Sequence, residues 1–231
     1  MQCARPHVEK IWVIIPAFNE AGAIRETIQN VRAHFNNVIV VDDCSIDQTA
    51  ELALAAGAFV ARHPVNLGQG AALATGIRFA LFRGASHVVT FDSDGQHSSD
   101  DAWNLLQTQI ETGCDVVLGS RFLGSTTGMP PMRGLLLKCA LAFTKFTTGL
   151  ALTDVHNGLR VFTREAATKL AIRQNRMAHA SEILSEIARK QLSYVEAPCT
   201  IRYTEYSKRK GQKWTAMFII LKDLFVARLH R

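Results

Sequence analysis

Asp92 and Asp94 stand two residues apart at the end of the apolar run 87–91 (HVVTF), and Gln96 and His97 follow them. At the end of an extended segment, side chains at i and i+2 project to the same side. Two carboxylates with an amide oxygen close by form a hard, all-oxygen donor set. Such a set suits Mg²⁺ or Mn²⁺ and leaves positions open for phosphate oxygens. Asp92, Asp94 and Gln96 are therefore the candidate metal ligands. An EF-hand is excluded, because the twelfth position counted from Asp92 is Trp103 rather than Glu. His97 reads as a surface histidine outside the ligand set.

A D-x-D pair alone is common in turns, and it gains weight from what ends the other apolar runs. Pro16, Ala17, Phe18, Asn19 and Glu20 close the run 11–15 (IWVII), and Asp42 and Asp43 close the run 38–41 (VIVV). Sheet stability gives two such acids no role, so they read as hydrogen-bond acceptors placed in a crevice, with the capping of a turn as the alternative. Asp47, ahead of Gln48 and Thr49, reads as a helix N-cap. Gly68 and Gly70 open an Ala-rich helical stretch, where missing side chains permit close backbone approach and an anion contact. A dinucleotide fingerprint is excluded because its third glycine position is Leu73, and GxxxxGK[ST] does not occur.

These residues need elements to hold them. The apolar runs at 11–15, 38–41, 87–91 and 115–118, with a weaker one at 58–62, predict buried strands. Helical spacing between them predicts helices at 21–35 (Ile24, Ile28, Val31, Phe35), 47–56, 68–83 and 98–112. The fold class is thus α/β: a Rossmann-like, mostly parallel sheet with right-handed crossovers, binding ligands at its carboxyl edge. Beyond Gly119 the pattern changes to a helix at 133–149, a strand at 158–162, a helix at 178–190, an extended pair at 194–203 around Pro198, and a last helix at 213–228.

Composition narrows the classes further. The 231 residues are 48% apolar and 20% charged, which excludes disorder and allows a full hydrophobic core. Cys3, Cys44, Cys114, Cys139 and Cys199 are odd in number and never form a CxxC pair, which favours a reducing compartment over a disulfide framework. The polar first ten residues and the lack of a long apolar run predict a chain that is neither secreted nor membrane-spanning. Of the net charge of +6, all lies in residues 200–231, where eight Lys or Arg face only Glu205 and Asp223. The neutral body disfavours a nucleic-acid partner, while the basic end suits an anionic surface or is simply a solvated helix.

The ordered segments Pro16–Glu20, Val41–Thr49, Asn66–Ala72 and Asp92–His97 together resemble the family 2 inverting glycosyltransferases. Their nearest likeness is to the branch that transfers sugar to a polyprenyl phosphate, such as the dolichyl-phosphate mannose synthases. Gly119-Ser120-Arg121-Phe122 and Asp154-Val155-His156-Asn157-Gly158-Leu159-Arg160 extend the match, which covers residues 10–205. The resemblance implies a GT-A fold over residues 1–206, a UDP-, GDP- or dTDP-linked sugar donor, and Mg²⁺ or Mn²⁺. It implies that Pro16, Phe18, Asn19, Glu20, Asp42, Asp43, Gly68, Gly70, Asp92 and Ser93 bind the donor, with a carboxylate reading the base edge. Asp92, Asp94 and Gln96 match the metal and diphosphate positions, and Arg121 a basic residue near the acceptor phosphate. Asp154 matches an acid near the acceptor, so that Asp94, Arg121 and Asp154 form the catalytic set. Cys44 departs from the glycine usual at its turn, and the transmembrane helices that many relatives carry at the carboxyl end are missing here.

Two acceptors stay open on these residues. A sugar hydroxyl needs a general base, for which Asp154 is the candidate. A lipid phosphate is already anionic and needs positioning, by Arg121, Arg133 and Arg160. The segment 207–231 holds Lys208-Arg209-Lys210 and the stripe Trp214, Phe218, Leu221 and Phe225, which suits a membrane surface. The body of the chain or a second copy of it are the alternative covers for that stripe, and a small integral-membrane protein is a further expected partner. The expectation is a cytoplasmic enzyme, peripheral on the cytoplasmic membrane face. A soluble glycosyltransferase and a non-catalytic nucleotide-sugar-binding adaptor are the competing readings.

Overall fold

The computed structural model describes residues 10–127, 131–155, 157–176 and 178–202, without the side chains of residues 127 and 131–139. Strand β1 (Ile11–Ala17) is buried along its whole length. It pairs in parallel with β2 (Asn37–Asp42) on one side and β4 (His87–Thr90) on the other, and β2 pairs in parallel with the edge strand β3 (Phe59–Arg62). The side-chain alternation of β1 explains its unbroken apolar run. Ile11, Val13 and Ile15 meet Ile24, Ile28 and Val31 of α1 (Ile24–Arg32) and Leu105 and Leu106 of α4 (Ser99–Thr112). Trp12 and Ile14 face the opposite core, with Leu73 and Ile77 of α3 (Gln69–Phe82) and Ile183, Leu184 and Ile187 of α7 (His179–Arg189). Between β2 and β3 lies the short helix α2 (Thr49–Ala55).

The second half completes a seven-stranded sheet in the order β3-β2-β1-β4-β6-β5-β7. The sheet is mostly parallel, as expected, and one strand departs from that direction. Strand β6 (Arg160–Thr163) inserts between β4 and β5 (Val116–Thr127) and runs antiparallel to both. The sequence interval to β6 holds helix α5 (Pro131–Thr148), which allows the chain to return from the far side of the sheet. Strand β5 also runs nine residues past the expected Leu118. These last nine residues, GSRFLGSTT, have no apolar alternation, and they are held as strand by the parallel partner β7 (Tyr194–Arg202) across a register shift between Ser120 and Ser125. The expected extended pair around Pro198 is this one strand. Strand β7 ends the sheet, where a missing N–H is tolerated. A short helix α6 (Arg164–Lys169), unread in the sequence, follows β6 directly and is capped by the Thr163 hydroxyl.

Helix α4 shows how local sequence sets the site's boundaries. Ser98 accepts from the Asp100 amide, Asp100 and Asp101 occupy the first turn, and Gly113 closes the helix at φ 65°. Asp101 also accepts from the Thr200 amide at 2.7 Å, tying this helix to β7. Among the described residues no helix is long and apolar enough to cross a membrane. The expected helix at 213–228 and the Lys208-Arg209-Lys210 run lie outside the described residues.

Candidate active site

The turn after β4 carries Asp92, Ser93, Asp94 and Gln96, at the carboxyl edge of the sheet. Asp92 is held at both oxygens: Gln69 Nε2 donates to Oδ1 at 3.2 Å and His97 Nε2 to Oδ2 at 3.1 Å. Burial pushes this carboxyl up, but the His97 hydrogen bond and the charges of His97, His179 and Arg160 outweigh it and hold it below its ordinary value. Asp94 shows the opposite balance. Burial and then the charge of Asp92 push it up to about 6, against a hydrogen bond from the Gln96 amide at 3.1 Å. Glu20 adds to that repulsion from the end of β1. Ser93 is buried, and its carbonyl accepts from Thr27 of α1 at 3.1 Å.

Negative charge crowded on oxygen donors is the environment a hard divalent cation relieves, so Asp92, Asp94 and Gln96 fit Mg²⁺ or Mn²⁺. Among the described residues no cluster of three or more His, Cys, Asp or Glu side chains could hold a metal alone. A cation here would take part of its shell from ligand oxygens. His97 departs from expectation: its side chain is 2% exposed, and its ring sits 5.6 Å from that of Phe91. The short turn folds it back under Asp92 rather than out to solvent.

Asp42 and Asp43 are also buried, and the structure gives them the turn-capping role that was the alternative to a crevice site. Asp43 accepts from the amides of Leu67 at 2.9 Å and Gly68 at 2.6 Å, and from His63 Nδ1 at 2.8 Å. His63 Nε2 in turn meets Thr75 Oγ1 at 2.9 Å. Asp42 binds the amide and hydroxyl of Ser45 and pairs with Arg62 Nε at 3.1 Å. Loops leaving strand ends expose amides that need acceptors, and these two carboxylates supply them. Arg62 is half-exposed and covers Asp42 on the solvent side.

The first strand's exit belongs to the same assembly. Pro16 lies within buried β1, and Phe18 is partly exposed beyond it. Asn19 sits at φ 55°, its amide on Ser45 Oγ at 2.8 Å and its Oδ1 accepting from the Ile46 amide at 2.9 Å. The Glu20 amide donates to Thr49 Oγ1 at 2.8 Å. Asp47 accepts from the Thr49 and Ala21 amides, each at 3.1 Å, which joins a capping role to a link with the β1 loop.

The glycine turn before α3 is also committed. The amides of Gly70 and Ala71 donate to the carbonyl of Asn175, at 2.8 and 3.2 Å, while Gly68 donates to Asp43. Close backbone approach is present as expected, but the chain's own 174–176 segment makes it. A Cβ on Gly68 would overlap the Asn175 carbonyl, and one on Gly70 that of Gln174. The anion contact expected at this helix start therefore meets amides that already have acceptors.

On the other side of Asp92 lie the cationic residues. Arg121, in the irregular stretch of β5, is buried with Asp154, its Nε 2.6 Å and its amide 3.1 Å from Asp154 Oδ2. Glu196 of β7 orients the Asp154 loop by accepting from Thr153 Oγ1 at 3.0 Å and from the Asp154 amide at 3.0 Å. Ser120 Oγ lies 2.6 Å from Thr153 Oγ1, joining that loop to β5. Arg160 starts β6 fully buried, with Nε on the Asn157 carbonyl at 3.1 Å. Burial pushes it down to about 10 against the charges of Asp92 and Asp154, so it lies in the field of both acidic groups. Burial also pushes His179 down to about 4, against a hydrogen bond from its Nδ1 to the Arg176 carbonyl.

The structure thus gathers Asp92, Asp94, Gln96, Glu20 and Arg160, with Arg121 and Asp154 adjoining through the field of Arg160. Helix α5 contains Arg133, whose side chain lies outside the described residues, as does His156. His97, His179 and Glu196 were missed as site residues. His97 adjoins the D-x-D in sequence, but nothing in the linear pattern marks the other two.

Known proteins are similar to this chain. The model described as Glycosyl transferase family 2 matches residues 12–171. A UDP-N-acetylglucosamine–dolichyl-phosphate N-acetylglucosaminyltransferase of Methanococcus voltae is 31% identical over 95% of this chain and 96% of its own length. A polyprenol monophosphomannose synthase of Mycolicibacterium smegmatis is 30% identical over 96% of this chain and 90% of its own. Among solved structures, a glucosyl-3-phosphoglycerate synthase from Mycobacterium tuberculosis, crystallised with Mn²⁺ and uridine-diphosphate-glucose, aligns over 98% of this chain and 84% of its own. Its TM-score is 0.72 at 21% identity, which is a likeness of fold.

Proposed function

The chain belongs to glycosyl transferase family 2 and is a glycosyltransferase of GT-A-like fold; from that premise we propose that it moves a sugar from a nucleotide donor onto a polyprenyl phosphate. The observation that carries this choice of acceptor is the buried Arg121–Asp154 pair, 2.6 Å between Nε and Oδ2. Asp154 Oδ2 already accepts from both the amide and the Nε of Arg121, so this carboxylate anchors a cationic residue rather than meeting a sugar hydroxyl. A phosphate monoester needs no base at neutral pH. It needs cationic donors, for which Arg121 and Arg160 are the candidates among the described side chains, and Arg133 of α5 a third by its place in the sequence. The two relatives, named for transfer to dolichyl phosphate and for synthesis of polyprenol monophosphomannose, support the same acceptor.

In this reading Asp92, Asp94 and Gln96 hold Mg²⁺ or Mn²⁺, which when bound supplies positive charge to the leaving diphosphate. Phe18, Asn19 and Glu20 line the nucleoside end, and buried Asp42 stands behind Arg62. An acceptor phosphate oxygen attacks the anomeric carbon opposite the departing nucleoside diphosphate, which inverts that centre. Arg121 and Arg160 hold the attacking group in line, and Asp154 fixes Arg121. The enzyme works peripherally at the cytoplasmic membrane face, with residues 207–231 as a basic amphipathic segment meeting lipid or a small integral-membrane partner.

The test is a donor screen with UDP-, GDP- and dTDP-sugars, with and without undecaprenyl or dolichyl phosphate, in Mn²⁺ and in EDTA. Radiolabel should enter the organic phase only with lipid phosphate and a divalent cation. Label transferred to a saccharide hydroxyl or to phosphoglycerate, with none in the lipid, would reject the acceptor. Full transfer in EDTA would reject the cation.

A further inference from the structure

We propose that His97 is a positioning residue, which fixes the Asp92 carboxylate for the cation site. The proposal rests on the metal reading above and deepens it. His97 has one satisfied ring nitrogen and one that is not: Nε2 lies 3.1 Å from Asp92 Oδ2, while buried Nδ1 meets no hydrogen-bond partner among the described residues. A buried nitrogen without a partner destabilises a fold. If packing against Phe91 were the only demand, an apolar side chain would serve better there. What the imidazole adds is an N–H aimed at Asp92, with the ring plane set by its 62° contact with Phe91.

The rest of the surroundings point the same way. Gln69, from the start of α3, donates to the other carboxylate oxygen at 3.2 Å. Gly158, ahead of β6, lies so close that a Cβ there would overlap Asp92 Oδ2, and Thr90 holds its carbonyl at 2.6 Å. Asp92 is thus confined by α3, by the β6 approach and by its own turn. Each carboxylate oxygen keeps a second lone pair, so accepting from His97 leaves Oδ2 able to face a cation. Orientation of this kind is what an outer partner gives a ligand carboxylate, and its loss costs about 10–100-fold in metal affinity.

Mn²⁺ titration of the purified chain, read as free Mn²⁺ by electron paramagnetic resonance, tests the role without any sugar substrate. Glutamine can place an amide N–H where His97 Nε2 lies, whereas methionine has similar length and no donor. His97→Met should weaken Mn²⁺ binding by about tenfold or more, and His97→Gln should recover most of that loss. In an Asp92→Asn background His97→Met should add nothing, because both act through one carboxylate. Equal losses in the Met and Gln variants, or losses that add in the double variant, would overturn the positioning role. Should His97→Met not fold by circular dichroism, His97→Asn replaces it, since its amide falls short of Oδ2. A wild-type chain that binds no Mn²⁺ defeats the metal reading and this proposal together. Wild-type binding with an unaffected His97→Met defeats this proposal alone.

Discussion

Two residues carry physical consequences that their types alone do not announce. Burial and Asp92 raise the Asp94 carboxyl to about 6, so its charged form is disfavoured in the folded chain. A raised acid contributes stability below its ordinary value of 3.8 and loses it as pH rises through about 6. The difference amounts to at most about 3 kcal/mol. Thermal unfolding in EDTA between pH 4 and 8 should show wild type losing ground against Asp94→Asn across that window, with Mn²⁺ restoring it. Parallel pH profiles would contradict the assignment. Under assay conditions Asp94→Asn should lower turnover by about 10²-fold or more. Cys44 holds φ 65°, a left-handed conformation that costs a side-chain-bearing residue roughly 1–2 kcal/mol. Cys44→Gly should therefore raise stability by about 1 kcal/mol in urea unfolding, less the entropy glycine adds to the unfolded chain. The turn itself was legible in the sequence, where a glycine is usual.

At the scale of elements, the start of α3 is a junction. Asp43 receives the amides of Leu67 and Gly68 from 24 and 25 residues away, and the Asn175 carbonyl receives Gly70 and Ala71. Gly70→Ala would push a methyl group into the Gln174 carbonyl and bring it to 2.8 Å from the His179 Cβ. Overpacking of this kind should cost about 1–3 kcal/mol. Hydrogen exchange should then rise at residues 68–72 and 174–179 before it rises in β1. Unchanged protection there would mean that the segment yields without strain. That Gly68 and Gly70 matter was legible from their place ahead of an Ala-rich helix. That their neighbour is a carbonyl of the same chain was not, because the 174–176 segment comes a hundred residues later and has no sequence signal of its own.

For the whole molecule, the question is what meets the basic end. The sheet and its flanking helices form a neutral body, and the excess charge of the chain follows residue 199. If residues 213–228 form an interfacial helix, the protein should sediment with vesicles containing anionic lipid and release in high salt. Each basic residue near such a surface contributes about 1 kcal/mol, which salt screens. Phe218→Glu with Phe225→Glu should abolish sedimentation and leave nucleotide affinity unchanged. Loss of folding or of an oligomer in that double variant, with wild type ignoring vesicles, would instead place the stripe in a protein contact. It would also count against a lipid acceptor.

The sequence by itself determined the α/β class, the strands β1, β2 and β4 with their helices, and the position of the D-x-D at a strand's carboxyl end. Those features follow from local periodicity, which a linear pattern records directly. Tertiary structure decided what each of these acids binds. Asp42 and Asp43 look as available in sequence as Asp92 and Asp94, yet distant amides, His63 and Arg62 engage them. Asp154 meets Arg121 across 33 residues, and Glu196 orients it from a further strand. The antiparallel insertion of β6 creates that meeting, by bringing Arg160 and Gly158 between β4 and β5. A carboxylate's chemistry depends on what its oxygens already bind and how dry its surroundings are. Both are set by residues brought near only when the sheet closes.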